Sequence, residues 1–293
     1  MIFGANCLQK LIIKNISSLI SFPLDGFPTS LRSLVIEDCG NFQFVSRETW
    51  YKYKSLGNLK IVGSCNSLTS FPLDCFPALE YLCIRDCHSL EAITTQGRWA
   101  APKLLRFYVY DCKKLKSLPE QIDLPALESF WLYRVPELAS LSPMCLSPSL
   151  VSLIIDVGIL SSMSKHELSF QFQRLTSLFC IRFQGFVEED FLNTMLKERL
   201  LPTSLQHLFI ENFDGLKLLD GKGLQHLTSL RQLYISNCGS LESLPEDQLP
   251  SSLKLLQIYY CPLLEARYNA RKGKYCSKIA HIPAIKINSE VII

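Results

Sequence analysis

The chain has 293 residues, 48% of them apolar and 19% charged, with 30 Lys and Arg against 27 Asp and Glu and a net charge of +3. That apolar load excludes a disordered polymer, and the near balance of charge lacks the concentrated basic footprint that nucleic-acid binding needs. No run of 18 apolar residues occurs, so no membrane span is expected, and Asn6, Gln9, Lys10 and Lys14 break the opening stretch too often for a secretory leader.

From Leu8 onward the sequence repeats itself. Leu31-Arg-Ser-Leu34-Val-Ile36-Glu-Asp-Cys39 aligns with Leu79-Glu-Tyr-Leu82-Cys-Ile84-Arg-Asp-Cys87 and with Leu230-Arg-Gln-Leu233-Tyr-Ile235-Ser-Asn-Cys238. The shared pattern is L-x-x-L-x-I-x-x-C. Its first leucines are assigned to positions 8, 31, 56, 79, 104, 127, 150, 175, 205, 230 and 253, spaced by 23 to 30 residues. Within each unit the alternation predicts a short strand, with the fourth and sixth positions turned inward. Each strand returns after one coil of chain, so neighbours pair in parallel, and stacking supplies the core wall that one coil lacks. The fold class expected is an α/β solenoid, a leucine-rich repeat horseshoe. About eleven short parallel strands would line its concave face, with mostly irregular or short helical segments on the convex side.

Individual units depart from the pattern in readable ways. Gly63 delays the cysteine of the third unit to Cys65, and Val135, Phe183 and Phe213 stand in the cysteine slot of later ones. Gly158 is the weak match in that slot and predicts a loosened turn. The longest unit, roughly 175–204, carries Glu188 to Arg199 with acidic residues first, basic residues last and apolar residues at helical spacing, which predicts a short convex helix. Prolines mark two corners of the return path, one at Pro23, Pro72, Pro119 and Pro245 and one at Pro28, Pro77, Pro125, Pro202 and Pro250. A residue without an amide donor suits a turn and would damage a central ladder.

Of the twelve cysteines, Cys39, Cys87, Cys112, Cys238 and Cys261 share one slot. A small apolar side chain explains that placement, and reduced core thiols of a cytosolic protein are expected. Residues 1–264 form the solenoid, which is expected to be truncated or uncapped at its N-terminus because only seven residues precede Leu8. Residues 265–293 form the C-terminal cap. They comprise a basic interval (Arg267, Arg271, Lys272, Lys274, Lys278), read as solvated surface, and an alternating segment from His281 to Ile287 that covers the last coil.

The units L-x-x-L-x-I-x-x-C-x-x-L-x-S-L-P, with Cys261-Pro-Leu-Leu264 and Ser277-Lys-Ile-Ala-His-Ile-Pro283, resemble one family in particular. It is the C-terminal leucine-rich repeat domain of plant coiled-coil nucleotide-binding (NBS-LRR, RPP13-like) disease resistance proteins. Tyr275 and Cys276 depart from the acidic residue and tryptophan usual there. The resemblance implies a cytoplasmic protein-recognition module of an intracellular immune receptor. Its partner would be a pathogen effector, a guarded host protein, or a nucleotide-binding domain in cis or trans. No cofactor is implied for this chain: Arg271-Lys-Gly-Lys274 lacks the glycines and the Ser or Thr of a phosphate loop.

Recognition is expected on the outward fifth and seventh pattern positions. Tyr108, Tyr110, Trp131 and Tyr133 form the densest aromatic patch, flanked by Arg85 and Arg134, and Phe179, Phe209, Tyr234 and Tyr259 extend the stripes. Rigid amphipathic rings beside arginine are common binding material. An enzyme is not expected. The five histidines are scattered, with His207 and His226 alone sharing a unit and nineteen residues apart in it, and neither Cys-x-x-Cys nor His-x-x-x-His occurs. The alternative readings are the substrate-recognition repeats of a ubiquitin-ligase adaptor, whose F-box and I-T-D-x-G-L continuation do not appear, or a truncated receptor product without independent function. The N-x-L-x-G-x-I-P unit of extracellular receptor ectodomains is absent as well.

Overall fold

The computed structural model describes residues 7–21, 27–43, 47–120, 122–141, 146–185, 189–269, 279, 281–288 and 290–291. The chain divides into two compact units, Met1–Leu150 and Val151–Ile293. Each is a leucine-rich repeat α/β solenoid built around one mainly parallel sheet.

In chain order the first unit holds β1 (Lys10–Lys14), β2 (Ser33–Glu37), α1 (Arg47–Trp50), β3 (Asn58–Val62), β4 (Ser70–Pro72), β5 (Tyr81–Arg85), β6 (Ala92–Thr94), β7 (Trp99–Ala100), β8 (Arg106–Tyr110), β9 (Ile122–Asp123) and β10 (Ser129–Tyr133). Its main sheet runs β1-β2-β3-β5-β8-β10, every pair parallel. The pattern positions lie in register, so Leu34, Leu59, Leu82, Phe107 and Phe130 form one buried row. Ile36, Ile61, Ile84, Val109 and Leu132 form the next. Two small parallel pairs, β4 with β6 and β7 with β9, lie on the return path. Pro72 therefore ends a short strand rather than making a bare turn, which a two-stranded ribbon tolerates because each strand is an edge. Pro23 lies outside the described residues. The residues just before the second-corner prolines, Phe27, Phe76 and Leu124, are all buried.

In the second unit follow β11 (Ser152–Asp156), α2 (Val157–Ser161), α3 (Lys165–Arg174), β12 (Cys180–Gln184), α4 (Glu189–Lys197), β13 (His207–Glu211), α5 (Gly221–His226), β14 (Gln232–Ser236), β15 (Leu255–Tyr259), α6 (Pro262–Asn269), β16 (Ala284–Ile287) and β17 (Glu290–Val291). Strands β11 to β16 pair in parallel in sequence order, and β17 turns back antiparallel on β16. The helix expected in the longest repeat is α4, and the expected loosened turn at Gly158 is instead the short helix α2, in which Gly158 is exposed. Helix α3 begins with a reciprocal capping box. The Ser164 hydroxyl accepts from the Glu167 amide at 3.2 Å, and the Glu167 carboxylate accepts from the Ser164 amide at 2.8 Å.

The register of the eighth repeat corrects the sequence reading. Strand β12 pairs Cys180 with both Ser152 and His207, which are third-position residues of their repeats. The first leucine of that repeat is thus Leu178, not Leu175. An independent hydrogen bond agrees: Ser204 Oγ donates to the Leu178 carbonyl at 3.0 Å, as Ser30 does to Leu8 and Ser252 to Leu230 at 2.8 Å each. Phe183, assigned to the cysteine slot, occupies the isoleucine slot, and Ile181, assigned outward, is fully buried.

Apart from β11 and β12, the strands of the main sheet from β1 to β15 leave it through an eighth-position residue of positive φ: Asn15, Asp38, Gly63, Asp86, Asp111, Arg134, Asn212, Asn237 and Tyr260, with Asn288 after β16. Asn and Asp tolerate the left-handed region better than other side chains that carry a Cβ. In the third repeat both Gly63 and Cys65 are left-handed, so Ser64 fills the slot; its hydroxyl accepts from the Cys39 amide at 3.0 Å and donates to the Val62 carbonyl at 2.7 Å. In that slot elsewhere, the thiols of Cys39, Cys87, Cys112, Cys238 and Cys261 donate to the carbonyl two residues earlier. These cysteines and Cys65 are buried, and burial pushes the Cys65 thiol well up, whereas Cys7 is exposed. Iodoacetamide at neutral pH is expected to modify Cys7 in the native chain and to reach the buried six only after denaturation. Peptide mass spectrometry reads the result; early labelling of Cys87 or Cys112 would contradict the packed slot.

Candidate protein-binding face

A parallel strand with its fourth and sixth residues inward must present its third, fifth and seventh to the other side. In the first unit that side carries aromatic columns. Tyr108 of β8 stacks on Trp131 of β10 at 4.1 Å between ring centroids, and Tyr110 stacks on Tyr133 at 4.8 Å. The register pairs Trp131 with Tyr108 and Tyr133 with Tyr110, which is why the rings meet face to face. Arg85 of β5 places its guanidinium 5.9 Å from the Tyr110 ring centroid while its Nε binds Asp86 at 2.9 Å. The structure thus joins Arg85, Tyr108, Tyr110, Trp131 and Tyr133 in one ledge. Arg134 is apart from the columns: it sits one residue beyond β10 with φ 53° and pairs with Asp111 at 3.3 Å.

Tyr81, the third position of its repeat and the first residue of β5, meets Tyr108 edge-on at 5.5 Å and so belongs to the same ledge. Its signal in the sequence was the strand period itself, because the third position shares a face with the fifth and seventh. Cys83, though outward, is covered and only 2% exposed. Burial pushes the Cys83 thiol and the Tyr81 and Tyr110 hydroxyls above their usual ranges. At neutral pH these groups are uncharged, and the charge of the surface comes from Arg85 and from Arg106, the exposed residue of β8 paired with Tyr81.

The second unit carries its own row. Phe209, Tyr234 and Tyr259 follow one another on β13, β14 and β15, with centroid separations of 5.4 Å for each neighbouring pair. Phe179 is a correction: by the register of β12 it precedes the strand, half-buried against His207 at 4.5 Å, and contributes to neither outward stripe. The fifth position of that repeat is Arg182, whose guanidinium lies 4.7 Å from the Phe209 ring centroid and 3.5 Å from the Glu211 carboxylate. Burial, then the nearby Arg231, holds the His207 imidazole below its usual range, so it is neutral at pH 7.

Among the described residues no three of His, Cys, Asp and Glu gather as metal ligands, and no helix is long and apolar enough to cross a membrane. The face offers stacked rings, hydroxyl donors and arginine, which suit binding rather than bond-breaking.

The sequence is 29% identical over 312 aligned positions to the Arabidopsis thaliana protein named as disease resistance protein At3g14460, covering 97% of this chain and 21% of that protein. It is homologous to plant disease resistance proteins. A second Arabidopsis thaliana relative, named as disease resistance RPP13-like protein 1, is 35% identical over 120 residues, covering 40% of this chain and 11% of that one. The chain therefore spans only about a fifth of the length of the first relative and a tenth of the second. No protein-family model matches it. Among solved structures, the functional domain of InlJ from Listeria monocytogenes, which includes a cysteine ladder, shares the fold with a TM-score of 0.51 at 18% identity, covering 88% of this chain and 57% of that one.

Proposed function

We propose that this chain is the protein-recognition module of a plant intracellular immune receptor, placed C-terminal to nucleotide-binding machinery and working in the cytoplasm. It senses a pathogen effector or a guarded host protein. The observation that carries the reading is the ledge on β5, β8 and β10, where two stacked aromatic columns lie beside one arginine. Rings already held by one another lose little freedom when a partner covers them, and buried aromatic anchors dominate most interfaces. Sequence kinship with disease resistance proteins supplies the biological setting. Residues 265–293 serve as the C-terminal cap, supported by β16 lying in register beside β15.

Affinity capture from infected and healthy leaf extracts tests the proposal, with Trp131→Ala as the paired bait. Trp131 is half-buried on the sheet face and outside the buried rows, so the variant is expected to fold. Loss of a hot-spot tryptophan should cost about 2 kcal/mol of binding, roughly thirtyfold in affinity for the captured protein. Equal affinity of the two baits for a purified partner would remove the ledge from the binding surface.

A further inference from the structure

The same face of the first unit carries a second feature beside the ledge. A groove of about 260 Å³ lies over β1, β2, β3 and β5, with Lys10, Lys14, Lys60, Glu37 and Tyr81 among its walls. Its charge is unbalanced. The Lys14 and Lys60 ammonium groups both bind the Glu37 carboxylate, each at 2.6 Å. Lys10 has no acidic partner among the described residues. The groove thus holds three ammonium groups and one carboxylate, which only two of them bind. Each ammonium carries three donors and no acceptor, so most of their hydrogen-bonding capacity is left for an incoming acid.

The floor between them is apolar. Ile12 is 48% exposed there and Val35 is half-buried. Phosphate alone, or a nucleic-acid backbone, would gain nothing from that floor, whereas a polypeptide that alternates acidic and apolar side chains would use both parts. Crossing four parallel strands at about 4.8 Å spacing needs about five extended residues. Tyr81 lines the groove and touches Tyr108, so the groove leads directly onto the aromatic ledge.

We propose that this groove receives an extended acidic segment of the partner protein, its carboxylates set against Lys10, Lys14 and Lys60 and its apolar side chains on Ile12, Val35 and Tyr81. The proposal rests on this side of the sheet being the protein-binding face and adds the chemistry of what binds. Association would weaken with salt, since the lysines are solvent-facing.

Fluorescence anisotropy of the full chain tests it with four labelled probes: a short peptide alternating Glu and Leu, its Gln counterpart, its Lys counterpart, and a single-stranded oligonucleotide. The Glu peptide is expected to bind most tightly and to lose affinity as salt rises. Lys10→Glu, which breaks no ion pair, should weaken it about tenfold, and Lys60→Gln should weaken it by a smaller factor. Lys116→Gln, which removes an exposed ammonium group that does not line the groove, should leave the affinity unchanged. Equal binding of the Glu and Gln peptides, indifference to Lys10→Glu, or tighter binding of the oligonucleotide would overturn the proposal. Failure of the ledge reading shows separately, in the capture experiment with Trp131→Ala.

Discussion

Leu82→Ala is expected to destabilise the first unit by about 2–5 kcal/mol, read as a fall in the urea midpoint with little change of slope. Leu82 is fully buried at the centre of its row, flanked by Leu59 on β3 and Phe107 on β8. Parallel strands in register place these neighbours too rigidly for the cavity to close, so both lost transfer energy and lost packing contribute. Each coil touches chiefly the coils beside it, so the damage should stay local. Hydrogen exchange is expected to accelerate first at the amides of β3, β5 and β8 and last at β1. Uniform acceleration across the unit would mean that its coils unfold together rather than as neighbours.

Gly223→Ala should also be costly, by about 1–3 kcal/mol, although alanine is the better helix former by about 1 kcal/mol. Gly223 lies in α5, and a Cβ built there would stand 2.3 Å from the Leu196 carbonyl oxygen and 2.4 Å from its carbon. Both atoms are backbone of the turn that ends α4, so no side chain can swing aside. The helix must move, and with it the cap in which the Asp220 carboxylate accepts from the Gly223 amide at 2.7 Å. Gly158→Ala makes the contrast. Gly158 sits exposed in α2 with no atom within 4 Å of a new Cβ. That variant should be neutral or gain about 0.5–1 kcal/mol. Thermal melts of the two variants should shift in opposite directions or differ clearly in size; equal shifts would show that packing at Gly223 does not limit α5.

Reading these positions from sequence had a physical boundary. Tyr108, Tyr110, Trp131 and Tyr133 could be placed on one face because strand alternation and near-constant spacing leave a single register between Leu104 and Leu127. The eighth repeat offered two. Leu175-x-x-Leu178 and Leu178-x-x-Ile181-x-Phe183 both satisfy the inward positions, and local alternation cannot choose between them. The choice falls to the element before the strand: α3 runs to Arg174, and Leu175 is its C-cap, with its amide donating to the Phe172 carbonyl. Once that leucine belongs to the helix end, Leu178 opens the repeat, Phe179 leaves the stripe and Arg182 enters it. Tyr81 was legible by the same alternation that exposed Tyr108. The lysine groove was not, since Lys10 and Lys60 are fifty residues apart and only stacking brings their strands together.

What the sequence determined by itself was the repeat: inward leucines and isoleucines, a small side chain in the slot that follows, and prolines before the next strand. These are local demands, met by each coil through its own alternation and turns. Tertiary structure alone decided the phase of the eighth repeat, the close approach of α5 to α4, and which outward side chains touch. Those depend on where one coil comes to rest against the next, and a pattern of buried positions specifies that rest point only when a single alignment buries them all.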